Sequence, residues 1–392
     1  MRVLMLNYEY PPLGGGGSNA CKYLLREMAN KGLDVDLVTS SSSNKFETEK
    51  IGDTVTIYKL PVNKKDIHYW TQREIMSYSW KAKKFIDQLM KEKEYDICHA
   101  FFSVPCGAVA YLFRKKIPYI VSLRGSDVPG FNKRFGFQYI FLKPLIKKIW
   151  TDAVAVVANS QGLKELALNT SPSQEIGVIY NGIDVSEFEP DFDSTSDDEI
   201  RIVCVSRLIE RKGINYLIEA VNKLKDKQIR LILVGEGNQE GKLRKLVDDL
   251  NITDKVDFKG YVDHDQIAEI YRNSDIFVLP SLNEGMSNAL LEALAAGLPV
   301  IVTDTGGTSE LLDGNGVLMP MGDSDAISDA IIRLVDDSEG RRQMGLRSRK
   351  IAENMDWMRV GGEYLRLYEE LGLEKTFDFM GLHNKVIKYS NM

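Results

Sequence analysis

The sequence contains few cysteines, and their spacing does not predict a fold held together by disulfides or by zinc. The four cysteines of this 392-residue chain form no C-x-x-C pair and no Cys/His spacing typical of zinc, so neither a disulfide framework nor a zinc site is predicted. No run approaches the roughly 18 apolar residues of a membrane span, and the N-terminus lacks the apolar region and cleavage site of a signal peptide. We therefore expect a cytoplasmic protein without a transmembrane segment.

A second missing pattern concerns nucleotide cofactors. The glycine-rich loop Gly14–Gly17 follows the first apolar run, but it is not a G-x-G-x-x-G motif, and no acidic residue clearly ends the second strand. A Rossmann-type oxidoreductase is therefore disfavoured, although it stays an alternative. Contiguous glycines let the backbone turn sharply and bring its N–H groups close to a ligand. We predict ligand contact for this loop; the alternative is a flexible connection between a strand and a helix.

The length and the hydrophobic periodicity predict two α/β domains. At roughly 100–200 residues per domain, 392 residues favour two or three domains. Continuous apolar strands alternate with helical patterns in two successive sets, which is typical of parallel sheets covered on both faces. An acidic segment without an apolar period separates the sets. We predict a first domain over 1–185, a linker over 186–199 and a second domain over 200–372. The segment 373–392 can pack back on either domain, of which we take the first.

Charge is distributed unevenly between these halves. Residues 1–190 carry a balance of +5 and the remainder a balance of -11, within a net charge of -6. Residues 111–150 hold nine basic side chains against one acidic side chain, Asp127. This asymmetry predicts that the first half meets an anionic partner.

Cations follow the first strand of the second set. Ser206 and Arg207 end that strand, and Lys212 precedes the next helix. An arginine and a lysine at the carboxyl end of a strand can clamp a diphosphate, the arginine as a fork and the lysine as a point charge. Gly235 ends the following strand in a turn that needs an unusual backbone. Each signal alone is also typical of solvated side chains and tight turns.

A pair of glutamates gives the most specific pattern. Glu284 and Glu292 are separated by seven residues, and Ser287 and Asn288 can cap the helix that carries Glu292. The backbone N–H groups and the positive end of that helix suit a phosphate. One carboxylate on each side of the phosphate could bind the hydroxyls of two sugar rings. Two unrelated surface glutamates are the alternative.

The segment 275–310 resembles the donor-site signature of glycosyltransferase family 4, whose members are retaining enzymes with the GT-B fold. The strings SRLIERKG, LVGEGN, FKGYV, VIYNGID and MDWMRVGGEYLRLYEEL resemble the same family in order and spacing. The resemblance covers roughly residues 1–371. It implies two doubly wound, Rossmann-like α/β domains whose parallel sheets face a central cleft.

The resemblance also implies a role for individual residues. Glu292 is expected to bind the ribose of the nucleotide, and Glu284 the hydroxyls of the donor sugar. The expected diphosphate ligands are Arg207 and Lys212, with the backbone amides of Gly285, Met286 and Ser287; Asn288 beside them is a further expected donor contact. Further donor contacts are expected from Ser206, Gly235, Tyr261 and Val262, the last two against the base, and from Gly15 and Gly16 in the first domain.

The sequence departs from the family pattern at Arg124. Many members have a histidine before Gly-Ser/Thr-Asp, whereas this chain reads SLRGSDV. An arginine stays charged and cannot act as a neutral imidazole acceptor, so Arg124 is expected to bind phosphate or the acceptor. His99 is the nearest catalytic histidine candidate, with a core histidine as the alternative. Asp127 is the first-domain carboxylate to consider, with a structural role in a turn as the alternative.

The implied reaction is transfer of a sugar from a nucleoside diphosphate sugar, UDP rather than GDP, to a hydroxyl acceptor. The resemblance implies front-side substitution that retains the anomeric configuration, in which the enzyme stabilises the leaving diphosphate. No cofactor and no divalent metal are expected.

The basic segment 131–150 suggests where the acceptor lies. Its aromatic and aliphatic residues are interleaved with five cations and no acid, a composition that suits an anionic lipid interface. We therefore expect a protein peripheral to the inner face of the cell membrane. Its acceptor would be a lipid-linked or membrane-proximal glycan in the synthesis of cell-surface polysaccharide or glycoconjugate.

Other interpretations remain open. The apolar side of segment 131–150 could belong to a helix pair in the core, and nucleic acid is disfavoured because few recognised binding motifs accompany the charge. A transferase acting on a small soluble acceptor and a non-catalytic partner subunit with the same fold are the functional alternatives. The second is disfavoured because the fold alone would not need the glutamates and cations.

Overall fold

A computed structural model describes residues 1–43, 45–67, 69–132, 136–192 and 199–378. The chain divides into two compact units. The first contains Met1–Asn181 together with the chain from Trp357 onward, and the second is Gly182–Asp356. Both are α/β units built on parallel sheets, so the predicted fold class is confirmed.

The first unit is built on a sheet that has eight strands among the described residues. The strands are β1 (Arg2–Leu6), β2 (Asp34–Ser41), β3 (Glu47–Ile51), β4 (Val55–Pro61), β5 (Ile97–Phe101), β6 (Tyr119–Leu123), β7 (Ala155–Ala158) and β8 (Gly177–Val178). Their order is β3-β4-β2-β1-β5-β6-β7-β8, and only the β3–β4 pair in this set is antiparallel. The helices are α1 (Gly16–Asn30), α2 (Gln72–Glu92), α3 (Ala108–Leu112), α4 (Gly136–Thr151), α5 (Gln161–Leu168) and α12 (Trp357–Asp378).

Alternating side chains of the strands feed two cores, one on each face of this sheet. In β1, Leu4 and Leu6 pack with residues of α2, α3, α4 and α5, whereas Val3 and Met5 pack with residues of α1 and α12. Because both faces are covered, a central strand such as β1 is apolar on both faces rather than alternating with polar residues.

The second unit repeats this plan with a fully parallel sheet of six strands in the described chain. The strands β9 (Ile200–Val205), β10 (Ile229–Val234), β11 (Val256–Gly260), β12 (Ile276–Leu279), β13 (Val300–Thr303) and β14 (Gly316–Met319) lie in the order β11-β10-β9-β12-β13-β14. The helices are α6 (Ile214–Lys223), α7 (Glu240–Asp249), α8 (His264–Arg272), α9 (Asn288–Ala295), α10 (Ser324–Val335) and α11 (Ser338–Glu353). Within the described residues, no helix has both the length and the apolar character needed to cross a bilayer.

The unit boundaries differ from the predicted domain boundaries at both places where the chain passes from one unit to the other. Phe188, expected in the linker 186–199, is 1% exposed in a core of the second unit. Arg349 Nη1 holds this segment by donating to Phe188 O at 2.6 Å and to Val185 O at 3.0 Å. Residues 193–198 of the predicted linker lie outside the described residues.

The chain also returns to the first unit earlier than expected. The prediction ended the second domain at 372, but α12 starts the return at Trp357 because its apolar stripe completes the core next to α1. Tyr364 and Tyr368, four residues apart, are both fully buried there. Of the predicted returning segment 373–392, residues 379–392 lie outside the described residues.

This return predicts a large effect of truncating Trp357, which is 4% exposed and stacks on Tyr23 at 5.7 Å between ring centroids. We expect Trp357→Ala to lower the free energy of unfolding by about 3–5 kcal/mol. Its neighbour Met358 is 66% exposed, so Met358→Ala is expected to change stability by no more than about 0.5 kcal/mol. Denaturant unfolding of the full chain measures both. Equal effects of the two changes would contradict this packing.

Candidate active site

Loops from four neighbouring strands meet at the carboxyl edge of the second sheet. They follow β10, β9, β12 and β13, which are adjacent in the strand order. In an open parallel sheet, this edge is where ligands bind. The sequence placed Glu284 and the cations on these loops, and the fold brings the loops together.

Glycines allow the loops to approach each other at backbone distance. A Cβ on Gly213 would lie 2.2 Å from Pro280 O, one on Gly235 would lie 2.1 Å from Ser206 O, and one on Gly307 would lie 2.0 Å from Gly285 O. Gly213 and Gly235 also have positive φ angles of 64° and 122°. No larger residue fits at these positions without displacing a neighbouring loop. Gly235 therefore has a packing role that is independent of any ligand.

Lys212 and Glu284 form an ion pair in this frame. Lys212 Nζ donates to Glu284 Oε2 at 2.5 Å, and the two side chains are 10% and 11% exposed. Ser281 Oγ donates to the same carboxylate oxygen at 3.2 Å. Burial alone would raise the pKa of Glu284, but the charges of Lys212 and Arg211 and these hydrogen bonds outweigh it and lower the pKa. Glu284 is therefore an ionised acceptor at neutral pH.

Arg211 is a residue of this site that the sequence reasoning missed. Its carbonyl accepts a hydrogen bond from Leu282 N at 2.8 Å, and its guanidinium donates to Asn283 O at 3.5 Å. Burial, with the charge of Arg207 nearby, lowers the pKa of Arg211, while Glu284 acts in the opposite direction. The available signal was the string ERKG, which places a second cation directly before Lys212.

The start of α9 lies at the end of the loop that carries Glu284. Ser287 caps the helix, and its hydroxyl accepts from Leu290 N at 3.3 Å. Gly285, Met286 and Ser287 are buried, while Asn288 is half-buried. The first turn of a helix presents N–H groups that have no acceptor within the helix, and its positive end favours an anion.

Glu292 lies one turn further along α9 and is oriented by a buried tyrosine. Tyr271 Oη lies 2.9 Å from Glu292 Oε2 and 3.1 Å from Ala289 O. Burial, followed by the charge of Glu292, raises the pKa of Tyr271 well above its ordinary value. The tyrosine is therefore a protonated donor that fixes the carboxylate, a role that the sequence reasoning did not assign.

The remaining predicted donor contacts lie along the same edge. Arg207 is exposed and Ser206 is half-buried at the end of β9. Tyr261 is 67% exposed directly after β11, and Val262 is half-buried beside it. Gly306 pairs with Glu284 in a short parallel bridge.

Among the described residues, no three His, Cys, Asp or Glu side chains converge as a metal site would require.

In the first unit, the glycine loop contains glycines of two kinds. A Cβ on Gly14 would lie 2.6 Å from the Glu9 carboxylate, and one on Gly17 would lie 2.7 Å from the Phe102 ring. These two glycines are therefore needed for packing within the unit. Gly15 and Gly16 are exposed, and a Cβ on Gly15 would meet nothing within 4 Å. Packing gives no reason for a glycine at position 15, so it remains a candidate for ligand approach.

His99, the catalytic histidine candidate, is in the middle of a strand rather than in a loop at its end. It lies inside β5 with no exposed surface, its Nδ1 2.6 Å from Tyr368 Oη and its Nε2 2.6 Å from Ser122 Oγ. Burial and the charge of Arg124 lower its pKa well below the ordinary value. The alternative of a core histidine describes it correctly, because both ring nitrogens are engaged inside the unit.

Arg124 and Asp127 are also held by neighbours. Arg124 donates from Nη1 to Asn181 Oδ1 at 2.8 Å and from Nη2 to Tyr364 Oη at 2.9 Å. Asp127 is buried and accepts from the backbone N–H groups of Ser103, Arg124 and Gly125 at 2.8, 2.9 and 3.0 Å. These bonds give Asp127 the structural role in a turn that was the alternative to catalysis.

Comparison with known proteins adds two family models that match successive parts of the chain. Residues 14–187 match the model "Glycosyltransferase Family 4", and residues 186–351 match the model "Glycosyl transferases group 1". Both models therefore agree with the resemblance noted in the sequence.

Similar proteins cover nearly the whole chain. The N-acetyl-alpha-D-glucosaminyl L-malate synthase of Bacillus anthracis is 25% identical over 92% of this chain and 95% of its own. The sucrose-phosphate synthase of Thermosynechococcus elongatus superposes with a TM-score of 0.83 at 22% identity, covering 95% of this chain and 100% of that one. Anabaena HepE in complex with UDP superposes with a TM-score of 0.73 at 18% identity, covering 94% and 100%.

The buried ion pair predicts a pH-dependent loss of stability in Lys212→Met. Because the pKa of Glu284 is lowered in the folded protein, the pair stabilises the fold above the ordinary carboxyl pKa and loses this effect as pH falls through the folded value. We expect Lys212→Met to cost about 3 kcal/mol at pH 7.5, and less near pH 4. Thermal unfolding against pH measures this change.

Two further variants control the interpretation of the Lys212 experiment. Adding Glu284→Gln to Lys212→Met should recover part of the stability, because it removes the unpaired buried charge. Lys223→Met breaks an exposed pair with Asp325 and should cost no more than about 1 kcal/mol. A pH-independent loss in Lys212→Met would mean that the pair is not an electrostatic unit.

Proposed function

Because residues 14–351 match the two models in succession, the chain is a glycosyltransferase of the family 4 type with the GT-B fold, and we propose that it transfers a sugar from a nucleoside diphosphate sugar to an acceptor hydroxyl with retention of configuration. The observation that carries this proposal is the ionised Glu284, held by Lys212 directly before the start of α9. It combines an acceptor for sugar hydroxyls with cations and backbone N–H groups for a diphosphate.

In the proposed donor complex, each group of the site has one partner. The diphosphate binds the N–H groups at Gly285–Ser287 and the cations Arg207 and Lys212. Glu292, oriented by Tyr271, accepts hydrogen bonds from the ribose. Glu284 accepts hydrogen bonds from the sugar. Gly15 and Gly16 are proposed as further contacts of the donor.

We propose a uridine base for the donor. The structural neighbour HepE is described in complexes with UDP and with UDP-glucose, which supports this choice. Tyr261 offers a largely exposed ring directly after β11, where it can contact a base.

The proposed chemistry is front-side substitution driven by stabilisation of the leaving group. Negative charge grows on the diphosphate as its bond to the anomeric carbon breaks, and preorganised cations and N–H groups stabilise that charge. Arg211 keeps a counter-charge near Glu284 when Lys212 turns to the diphosphate. No divalent metal is part of the proposal. Arg124 is proposed to orient neighbouring groups, because its two terminal nitrogens already bind Asn181 and Tyr364.

For the acceptor, we propose a lipid-linked or membrane-proximal glycan on the cytoplasmic side of a membrane, in polysaccharide or glycoconjugate synthesis. The support is α4, which presents exposed aromatic residues beside lysines. A small soluble acceptor is the second candidate, and the likeness to the N-acetyl-alpha-D-glucosaminyl L-malate synthase favours it. Activity on lipid extracts compared with small hydroxy acids separates the two.

Removal of the Glu292 carboxylate should weaken nucleotide binding. We expect Glu292→Ala to lose about 1.5–3 kcal/mol of UDP binding free energy, because hydrogen bonds to a charged group are lost. Isothermal titration calorimetry with UDP measures the change, and Glu339→Ala on α11 is the control outside the site. Unchanged UDP affinity in folded Glu292→Ala protein would refute the assignment; if the parent ignores UDP, other nucleoside diphosphates replace it.

Arg207 should affect turnover more than donor affinity. Leaving-group charge is largest in the transition state, so we expect Arg207→Ala to lower kcat by about 100-fold with a smaller change in KM. Arg333→Ala, an exposed arginine on α10, should leave both constants unchanged. The assay measures release of the nucleoside diphosphate with and without a chelator, which should make no difference. Parental kcat in Arg207→Ala would place the diphosphate clamp elsewhere.

A further inference from the structure

One face of the first sheet is covered by a layer of helices that includes α2, α3 and α4. Tyr78 and Ile86 of α2, Val109 of α3, and Ile146 and Ile149 of α4 all enter the same core. These helices therefore lie side by side, and the sides opposite this core form one outer surface of the unit.

That outer surface carries large apolar side chains on two of the helices. On α2, Met76 is 70% exposed and Trp80 is 60% exposed, one helical turn apart. On α4, Phe137, Ile140 and Phe141 are 73%, 66% and 70% exposed. We call these five residues the outer apolar set. Sequence composition indicated only the α4 half, because α2 has no comparable excess of cations.

Lysines surround the outer apolar set. Lys84 Nζ lies 4.5 Å from the centroid of the Trp80 ring, and Lys143, Lys147 and Lys148 are exposed on α4. Two of the three acidic residues of α2 are neutralised: Glu74 is buried in the helix cap and bonded to Lys64, and Asp87 pairs with Lys83 at 2.5 Å. The third, Glu92, is exposed at the far end of the helix from Met76 and Trp80. The charge available to a partner on this surface is therefore mainly positive.

Pro144 lies within α4 without ending the helix. A proline at this position cannot donate to the carbonyl of Ile140, four residues earlier. Both residues are exposed, so water or a polar headgroup can bind that carbonyl. The single helix corrects the alternative of a helix pair in the core: Tyr139, Ile146, Ile149 and Trp150 are buried, while the outer side of the same helix is exposed.

We propose that α2 and α4 together form a docking surface for an anionic lipid bilayer. Separate aromatic and aliphatic side chains interleaved with lysines suit the headgroup layer, where rings insert and lysine stems extend to the phosphates. A protein partner would favour one contiguous apolar patch depleted of lysine. This proposal deepens the proposed function by naming an anionic membrane as the partner of the first unit. It rests on the proposed function only for the identity of the acceptor.

Trp80 provides an intrinsic probe of this contact. Of the four tryptophans, Trp150 and Trp357 are buried and Trp70 is half-buried, so Trp80 is the exposed one. Vesicles of phosphatidylglycerol and phosphatidylcholine should shift the emission to shorter wavelength, and pure phosphatidylcholine vesicles should do so much less. Trp80→Phe should keep vesicle binding and lose the shift, which places the contact on α2.

Charge and apolar variants separate the two contributions to binding. Replacing Lys143, Lys147 and Lys148 with glutamate should weaken binding to the anionic vesicles by at least roughly 100-fold. The pairs Met76→Ser with Trp80→Ser, and Phe137→Ser with Phe141→Ser, should each weaken it by roughly tenfold. The matched charge control replaces the exposed lysines Lys225, Lys242 and Lys350 of the second unit with glutamate and should bind as the parent does. Vesicle sedimentation at low salt measures all of these variants.

The outcomes distinguish this proposal from the proposed function. Binding of UDP, or of whichever nucleoside diphosphate the parent binds, is measured without lipid and should be unchanged in every surface variant. A parent that binds no nucleoside diphosphate would refute the donor assignment and not the docking surface. A parent protein that ignores anionic vesicles at low salt overturns the docking surface. The docking surface is also overturned if the parent self-associates without lipid and the Met76→Ser, Trp80→Ser variant does not. That result would assign the surface to a second copy of the chain.

Discussion

The buried ion pair between Lys212 and Glu284 is the contact around which the second unit's site is arranged. A carboxylate that is 11% exposed is stable in its charged form only if cations and donors replace the lost water. Lys212, Arg211 and Ser281 do so from two different loops. The requirement to satisfy this one charge therefore fixes the loops after β9 and β12 relative to each other.

Close backbone packing makes this arrangement possible. Carbonyl groups of the adjacent loops occupy the space that a Cβ would need at Gly213, Gly235 and Gly307. Packing within the unit therefore positions these loops, and the proposed donor site needs little backbone rearrangement to bind a ligand. Preorganisation of this kind makes electrostatic stabilisation effective, because the cost of orienting the groups is met during folding.

The first unit uses its buried polar groups for a different purpose. His99, Ser122, Tyr364 and Arg124 form a connected chain of hydrogen bonds that also reaches Tyr368 and Asn181. This chain joins β5 and β6 to α12, and so fixes the returning helix on the sheet. Burial keeps His99 neutral, and both of its ring nitrogens lie within hydrogen-bond distance of a hydroxyl in this network. Arginine at position 124 fits this network because its fork reaches two acceptors at once.

Local sequence determined much of this protein. The alternation of apolar strands with amphipathic helices was sufficient for two α/β units with parallel sheets, because burial on both faces leaves a continuous apolar run. The cap at Ser287 and the apolar period after it were sufficient to predict α9, with Glu284 before the helix and Glu292 on it, because these signals act within a few residues. The cations Arg207 and Lys212 were identified for the same reason, as they follow a strand directly.

Tertiary structure decided what depends on distant parts of the chain. Tyr271 supports Glu292 from another helix, and Arg211 supports Glu284 from another loop. His99 became a core residue because α12, more than 250 positions later, covers it with Tyr368. Burial, charge pairing and exposure depend on neighbours that the fold brings together from distant positions. The periodicity of the sequence therefore does not predict them. For the same reason, the exposure of Trp80 beside α4 became visible only once the helices shared a core.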